Sequence, residues 1–156
     1  MSRLVSMTEP LPLARLLSAA TQLTVRRLNE TLATRGYPNL RPADGYALLA
    51  LGSEGATTSQ LGARLGITKQ AAAKISTRLE QAGYLCRSGH PSDARAQLLR
   101  RTARGAELLE AAADVQRQIE QEWARAVGPR KLTEMRAVLE SVLQQAPQNT
   151  PLTRLW

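Results

Sequence analysis

The sequence predicts a mainly α-helical chain with one β-hairpin, an α+β fold, on the strength of three observations. Apolar residues recur at helical spacing near both ends of the chain, over residues 11–34 and 102–143. Between them, two shorter helical segments at 58–65 and 69–83 are joined by a short turn that contains a glycine. The next stretch, 84–100, has two strand-like runs around a loop rich in turn-forming residues.

The first two helices have clear ends. The first is expected from Leu11 to about Thr34, and Gly36 and Pro38 stop it because glycine caps a helix and proline cannot continue one. The second starts near Pro42, since proline is favoured in a first turn, and breaks between Gly52 and Gly55. Residues 1–9 resemble a loose arm.

The two central helices have the features of a helix-turn-helix. Thr57 and Gln60 form a capping box, Gly66 makes the turn, and Thr68 caps the second helix. Gly62 would allow the helices to approach closely. The residues expected to lock their inner faces are Leu61, Leu65, Ile67, Ala72 and Ile75.

The outer face of the second helix carries groups that read DNA bases. If Ala72, Ile75 and Leu79 point inward, the outward residues are Gln70, Ala73, Lys74 and Thr77, with Lys69 and Arg78 beside them. Glutamine pairs with adenine, and lysine or arginine pairs with guanine. An ordinary solvated helix with surface cations is the alternative interpretation, and the adjoining turn, caps and hairpin favour DNA contact.

The hairpin is expected to have strands at Tyr84–Arg87 and Arg95–Arg100 around a loop at Gly89–Asp93. An arginine at its tip could reach phosphates or a minor groove. Asp93 is expected to hold Arg95, or else to form only a weak surface ion pair. The single cysteine, Cys86, is expected to be a half-buried strand residue.

Two further helices complete the prediction. One covers about 102–127, Gly128 and Pro129 interrupt it, and the last has an apolar stripe from Leu132 to Leu143. A polar tail follows Pro147 and ends at Trp156.

Positive charge is concentrated around the helix-turn-helix and the hairpin. From Arg64 to Arg104 there are nine basic and two acidic residues, so the segment carries 9 − 2 = +7 of the chain's net +8. This concentration is typical of a surface that binds a polyanion.

Composition and motifs narrow the functional class. The 156 residues and 43% apolar content fit one folded domain with helical extensions. The N-terminus lacks the apolar segment of a signal peptide and no run is long enough to span a bilayer, which predicts a cytoplasmic protein without membrane contact. One cysteine and one histidine make an ordinary zinc site impossible. No cofactor motif, nucleophile–base pair or carboxylate pair is present, so no cofactor and no catalytic residue are expected.

The combined pattern resembles the MarR family of winged helix-turn-helix transcriptional regulators. The resemblance covers the helix-turn-helix at 57–70, the end of its second helix at 79–85, the hairpin at 91–96 and the start of the next helix at 101–105. It departs from the family at Arg101, where a leucine is usual. The flanking helices also fit, so it covers nearly the whole chain.

The resemblance implies a triangular homodimer that binds a pseudo-palindromic double-stranded operator, associated with the nucleoid and acting as a repressor. Residues 1–36 and 102–156 would form the helical dimerisation region, and 37–101 the DNA-binding domain. The residues expected to contact DNA are Ser59, Thr68, Lys69, Gln70, Lys74, Thr77, Arg78, Arg87, His90, Asp93 and Arg95. A small aromatic or amphipathic effector would have to use Tyr37, Tyr46 or Trp123, each of which also fits a core or interface position.

Three other functional classes fit less well. A non-specific architectural protein for DNA or RNA would share the basic charge, but the predicted strands contain only Tyr84 as a stacking ring. The residues that an enzyme would need for catalysis are missing, and the single histidine, His90, is expected on the exposed tip of the hairpin. A winged helix used only for protein contacts does not need a positive outer face.

Overall fold

The computed structural model describes residues 10–90 and 93–145, and at residues 90 and 93–96 it describes the backbone alone. The expected loose arm at 1–9, the hairpin tip at 91–92 and the tail after Pro147 lie outside the described residues. The elements, in chain order, are α1 (Leu13–Thr34), α2 (Pro42–Leu51), α3 (Thr58–Leu65), α4 (Lys69–Gln81), β1 (Leu85–His90), β2 (Asp93–Arg101), α5 (Ala103–Val127) and α6 (Pro129–Gln144).

The predicted caps of the helix-turn-helix are confirmed. The N–H of Gln60 donates to the Thr57 hydroxyl at 3.2 Å, and the N–H of Thr57 donates to the Gln60 side chain at 2.9 Å. Gly66 ends α3 in the left-handed conformation with φ 67°. The Thr68 hydroxyl accepts from the N–H of Ala71 at 3.1 Å and so begins α4.

Gly62 allows the turn between α3 and α4 to fold tightly. The N–H of Ile67 donates to the Gly62 carbonyl at 3.0 Å, and a Cβ at Gly62 would lie 3.0 Å from the Ile67 oxygen. Leu61, Leu65 and Ala72 are buried as expected. The expectation for Ile67 was wrong, because its side chain is 37% exposed. The turn holds its backbone against Gly62 and leaves its side chain outside.

The hairpin is longer than its sequence predicts. β1 and β2 pair antiparallel from Leu85–Arg101 to His90–Asp93, with a register shift between Gly89 and His90. The expected loop at 89–93 was therefore too long, because pairing takes in residues on both sides of the turn. Tyr84 lies before β1 and is buried, so it is not a strand residue that could stack on bases.

A short bridge joins the hairpin to the chain before α3. Ala56 and Leu99 exchange backbone hydrogen bonds at 3.0 and 2.8 Å. Gly55 has φ +83°, and a Cβ there would come 2.5 Å from the Leu99 oxygen. Glycine at position 55 therefore lets the two segments approach, whereas Gly52 is the residue that caps the end of α2.

One core connects the helix-turn-helix to α5. It packs α2, α3 and α4 against the hairpin and continues along α5 through Leu108, Val115 and Ile119. Each fully buried leucine side chain contributes roughly 1.5–3 kcal/mol. The first half of α1 and the whole of α6 lie outside this core. Along the described length of α6 no residue is buried.

Candidate nucleic-acid interface

The outer face of α4 has the exposure that the sequence predicts. Gln70, Lys74 and Thr77 are exposed, while Ala72 and Leu79 are buried against the core. Lys69 is exposed in the first turn, and Ala73 is half-buried. The helix therefore presents an amide, two ammonium groups and a hydroxyl over a surface kept low by alanines, a set able to bond base edges and phosphates.

Ser59 and Thr68 lie at the N-terminal ends of α3 and α4, and both are exposed. The Thr68 hydroxyl already accepts the capping bond from Ala71. It still has its proton to donate, which fits a phosphate oxygen beside the start of the helix.

Arg78 takes a different position from the one expected beside the outer face. Its guanidinium turns towards α2, where Nη1 donates to Asp44 Oδ2 at 2.6 Å and Nη2 donates to Asp44 Oδ1 at 2.5 Å. The Asp44 side chain is 2% exposed and that of Arg78 is 29% exposed. Local sequence patterns did not predict this pairing, because the two residues are 34 positions apart in the chain.

Arg87 is also paired within the protein. Its Nε donates to Glu80 Oε2 at 2.8 Å, which ties β1 to the last turn of α4. The contact positions the hairpin beside the helix whose outer face carries Gln70 and Lys74.

The free positive charge is smaller than the sequence count. Of the nine basic residues, Arg78 and Arg87 are paired with carboxylates, while Arg64 and Arg104 donate to the carbonyls of Ala50 and Gly36. These four still contribute to the positive field, but their guanidinium groups are engaged. The other five are Lys69, Lys74, Arg100, Arg101 and Arg95, and the side chain of Arg95 lies outside the described part of the chain.

The hairpin tip is described only in its backbone. His90 ends β1 and Asp93 begins β2, with Arg95 two residues further along. The side chains of these three residues lie outside the described part of the chain, and so does the expected contact between Asp93 and Arg95.

Cys86 lies on β1 as expected, but it is exposed, so the expectation of a half-buried residue was wrong. It pairs with Arg100 in the two-stranded ladder. A two-stranded sheet covers one face only, and Cys86 lies on the uncovered face, because its neighbour Leu85 is buried.

The three aromatic residues expected at an effector site lie in different surroundings. Trp123 lines a surface cleft of about 450 Å³ between α1 and α5, together with Leu23, Thr24, Arg26, Arg27, Glu30 and Ile119. Tyr37 lies instead below Arg104, whose guanidinium carbon is 5.6 Å from the ring centre and 5.3 Å from that of Tyr84. Tyr46 is half-buried on α2 against the core.

A second cleft, of about 530 Å³, lies between Arg35 and the middle of α5 and is lined by charged residues. The pKa of Asp114 there lies below its usual range, because Arg117 donates a hydrogen bond to it and adds positive charge, with a smaller effect from Arg35. Among the side chains that the structure describes, no group of three or more His, Cys, Asp or Glu residues could hold a metal ion. None of the described helices combines the length and apolarity that crossing a bilayer requires.

Comparison with known proteins agrees with this architecture. A family model described as the MarR family matches residues 39–96. The reduced form of MarR from E. coli is 26% identical, with a TM-score of 0.73 over 86% of this chain and 98% of that one. A mutant of E. coli MarR in complex with operator DNA is 24% identical, with a TM-score of 0.66 over 85% and 94% of the two chains. No curated protein matched the chain.

A transcriptional regulator from Thermotoga maritima has the same fold, at 23% identity and a TM-score of 0.61 over 85% of this chain and 92% of that one. The family match covers the helix-turn-helix and most of the hairpin, and the structural matches cover 85–86% of the chain. Residues 39–96 therefore belong to the MarR family, and the chain as a whole has the winged-helix fold of the solved MarR-family transcription regulators.

Proposed function

We propose that this protein is a sequence-specific regulator that binds double-stranded DNA as a homodimer and represses transcription at a pseudo-palindromic operator. The observation that carries the proposal is the exposed outer face of α4, where Gln70, Lys74 and Thr77 project from a helix whose other side is buried. The relative solved with operator DNA supports the same use of this fold.

Each group on α4 has a role that fits its chemistry. Gln70 reads an adenine in the major groove through its amide, and Lys74 bonds guanine O6 and N7. Lys69, Ser59, Thr68 and Thr77 contact phosphates and fix the register on the duplex. Since alanines surround these side chains, the helix backbone can approach the floor of the groove.

The hairpin acts as the wing in this proposal. β2 carries Arg95 two residues from its start, near the turn, which is the part of a hairpin that reaches furthest from the helices. An arginine there binds phosphate or enters the narrow minor groove beside the site. His90 and Asp93 belong to the same contact region.

The apolar surface left at the two ends of the described chain supports a homodimer. The side chains of Val138 and Val142 on α6 are 61% and 60% exposed, and Leu13, Leu16 and Leu23 on α1 are exposed as well. A stable interface buries about 800 Å² on each partner. Residues 1–36 and 102–156 would form this region, with 37–101 as the DNA-binding domain, and a two-fold axis would place both α4 helices about one DNA turn apart.

Release by a small aromatic or amphipathic molecule is part of the same proposal. The cleft beside Trp123 lies between α1 and α5, so a ligand there would shift the spacing of the two α4 helices to one that does not fit the operator. A calorimetric screen of aromatic acids tests this step. Absence of both binding and loss of operator affinity across the screen would contradict it.

Selection of genomic DNA fragments by the purified protein, at about 0.15 M salt, tests the proposed function. Enrichment of fragments that share one palindromic motif is the expected result. Recovery of all duplexes in proportion to their length would indicate an architectural protein. Strong preference for structured RNA in a parallel selection would indicate an RNA-binding protein.

A further inference from the structure

Asp44 is a buried carboxylate that joins two helices of the winged-helix region. It lies in the first turn of α2, where one of its oxygens accepts the N–H of Arg41 at 2.8 Å. Both of its oxygens also accept hydrogen bonds from Arg78 on α4. A carboxylate that is 2% exposed is stable in its charged form only when such partners satisfy it.

A second arginine fastens the other helix of the motif to α2. Arg64, at the end of α3, donates to the Ala50 carbonyl at 2.6 Å. Asp44 and Ala50 are six residues apart on α2, roughly 9 Å along the helix axis at about 1.5 Å per residue. α3 and α4 are therefore each bonded to α2, at two separate points along that helix.

The bond to Asp44 fixes how α4 is rotated about its own axis. Arg78 is one turn beyond Lys74 and directly follows Thr77, both of which are exposed. A helix with its side chains is about 10–12 Å across, so a rotation of about 20° would move the outer groups by roughly 2 Å. A hydrogen bond tolerates only about 0.5 Å. A two-point contact between a planar guanidinium and a carboxylate is specific in its geometry, and such a rotation would break it.

We propose that Asp44 and Arg78 are positioning residues for DNA discrimination: their pairing holds α4 at the rotation at which Gln70 and Lys74 reach the base edges. This inference rests on the proposed function. In this proposal Arg78 is not itself a DNA contact. It acts through the helix that carries the contacts.

The Asp44→Asn variant separates this positioning role from a role in fold stability alone and from direct contact of Arg78 with phosphate. It keeps the shape of the side chain, removes one negative charge, and frees Arg78 beside the DNA surface. We expect at least tenfold weaker binding to the selected operator and equal or tighter binding to random duplex. A residue that only stabilises the fold would leave the ratio of the two affinities unchanged at temperatures where the variant stays folded.

Arg78→Lys is the second variant, and it tests the positioning role of the pair if Asp44→Asn does not fold. It keeps the positive charge but loses the two-point geometry. We expect a loss of operator affinity of at least tenfold, with the random-duplex affinity and its salt dependence unchanged. The Asp114→Asn variant is the matched control, because Asp114 also contacts two arginines but is exposed on α5. It should leave both affinities as they are.

Three results would overturn the inference. Unchanged discrimination in folded Asp44→Asn and Arg78→Lys would show that the pair does not position α4. A parallel loss on operator and random duplex, with a flatter salt dependence, would make Arg78 a phosphate contact. If the wild-type protein itself does not discriminate between duplexes, the proposed function fails and this inference with it.

Discussion

Gly105 lies against the backbone of Tyr84 so closely that a Cβ on Gly105 would overlap the Tyr84 carbonyl oxygen and come within 3.1 Å of its carbonyl carbon. The same carbonyl accepts the N–H of Thr102 at 3.1 Å. The start of α5 therefore packs against Tyr84, the residue that precedes β1. This is the junction between the hairpin and the helix that leads to the proposed dimer region.

Replacing Gly105 with alanine should destabilise the protein by about 1–3 kcal/mol, because the new methyl group meets backbone that cannot rotate away. Urea denaturation at fixed protein concentration measures this change. Gly45→Ala is the control, since Gly45 lies within α2 with no atom within 4 Å of the added carbon. That variant should gain about 0.5–1 kcal/mol from helix propensity. Equal effects of the two changes would contradict a close approach at the junction.

Thr102→Ala should lower the free energy of unfolding by roughly 0.5–2 kcal/mol. The Thr102 hydroxyl accepts the Gly105 N–H at 3.1 Å and donates to the Gly83 carbonyl at 2.6 Å, so it caps α5 and holds the end of α4. Thr102→Ser keeps both bonds and should stay close to wild type. A serine variant as unstable as the alanine variant would mean that the methyl group, and not the hydroxyl, matters.

Introducing charge on α6 should break the proposed dimer. Val138 and Val142 lie one turn apart on the exposed face, so Val138→Glu with Val142→Glu would place two carboxylates in an apolar interface. Sedimentation velocity should show a change from dimer to monomer. Leu49→Glu, at an exposed leucine on α2, should leave the dimer intact. A dimer that persists in the α6 variant would locate the interface elsewhere.

Gln70→Ala should cost roughly 1–3 kcal/mol of binding free energy on the operator and little on random duplex. The reason is that an amide that reads a base has no partner in unrelated sequence. Fluorescence anisotropy with both duplexes measures the two affinities. Gln118→Ala, on the exposed face of α5, serves as the control and should change neither.

Arg95→Ala should weaken binding to operator and random duplex alike. It should also flatten the salt slope by about one unit for each bound chain, because each chain neutralises one phosphate fewer. Titrations at several salt concentrations give that slope. Arg130→Ala, an exposed arginine on α6, should leave it unchanged. Weaker binding confined to the operator would assign Arg95 to base reading instead.

Local patterns explain why much of the fold could be predicted from the sequence. The capping box of Thr57 and Gln60 and the left-handed Gly66 depend on neighbours within a few residues, so their signals are visible in the chain. The outward direction of Gln70 and Lys74 follows from helical periodicity, which needs only the buried side of α4.

The contacts that escaped prediction join distant parts of the chain. Asp44 and Arg78 meet across two helices, and Ala56 pairs with Leu99 in a bridge that no local pattern marks. An aspartate three residues after Arg41 does suggest a helix start, but nothing nearby shows that its oxygens also bind an arginine. Charge counting therefore overstated the free cations, since it cannot tell which arginines are engaged within the protein.

Titration of the selected palindromic fragment against a scrambled duplex of equal length, at about 0.15 M salt, tests the central claim most directly. We predict two chains per palindrome and binding at least about 10³-fold tighter than to the scrambled duplex. Equal affinity for the two duplexes, falling steeply and in parallel as salt rises, would contradict a sequence-specific regulator and leave only electrostatic attachment to DNA.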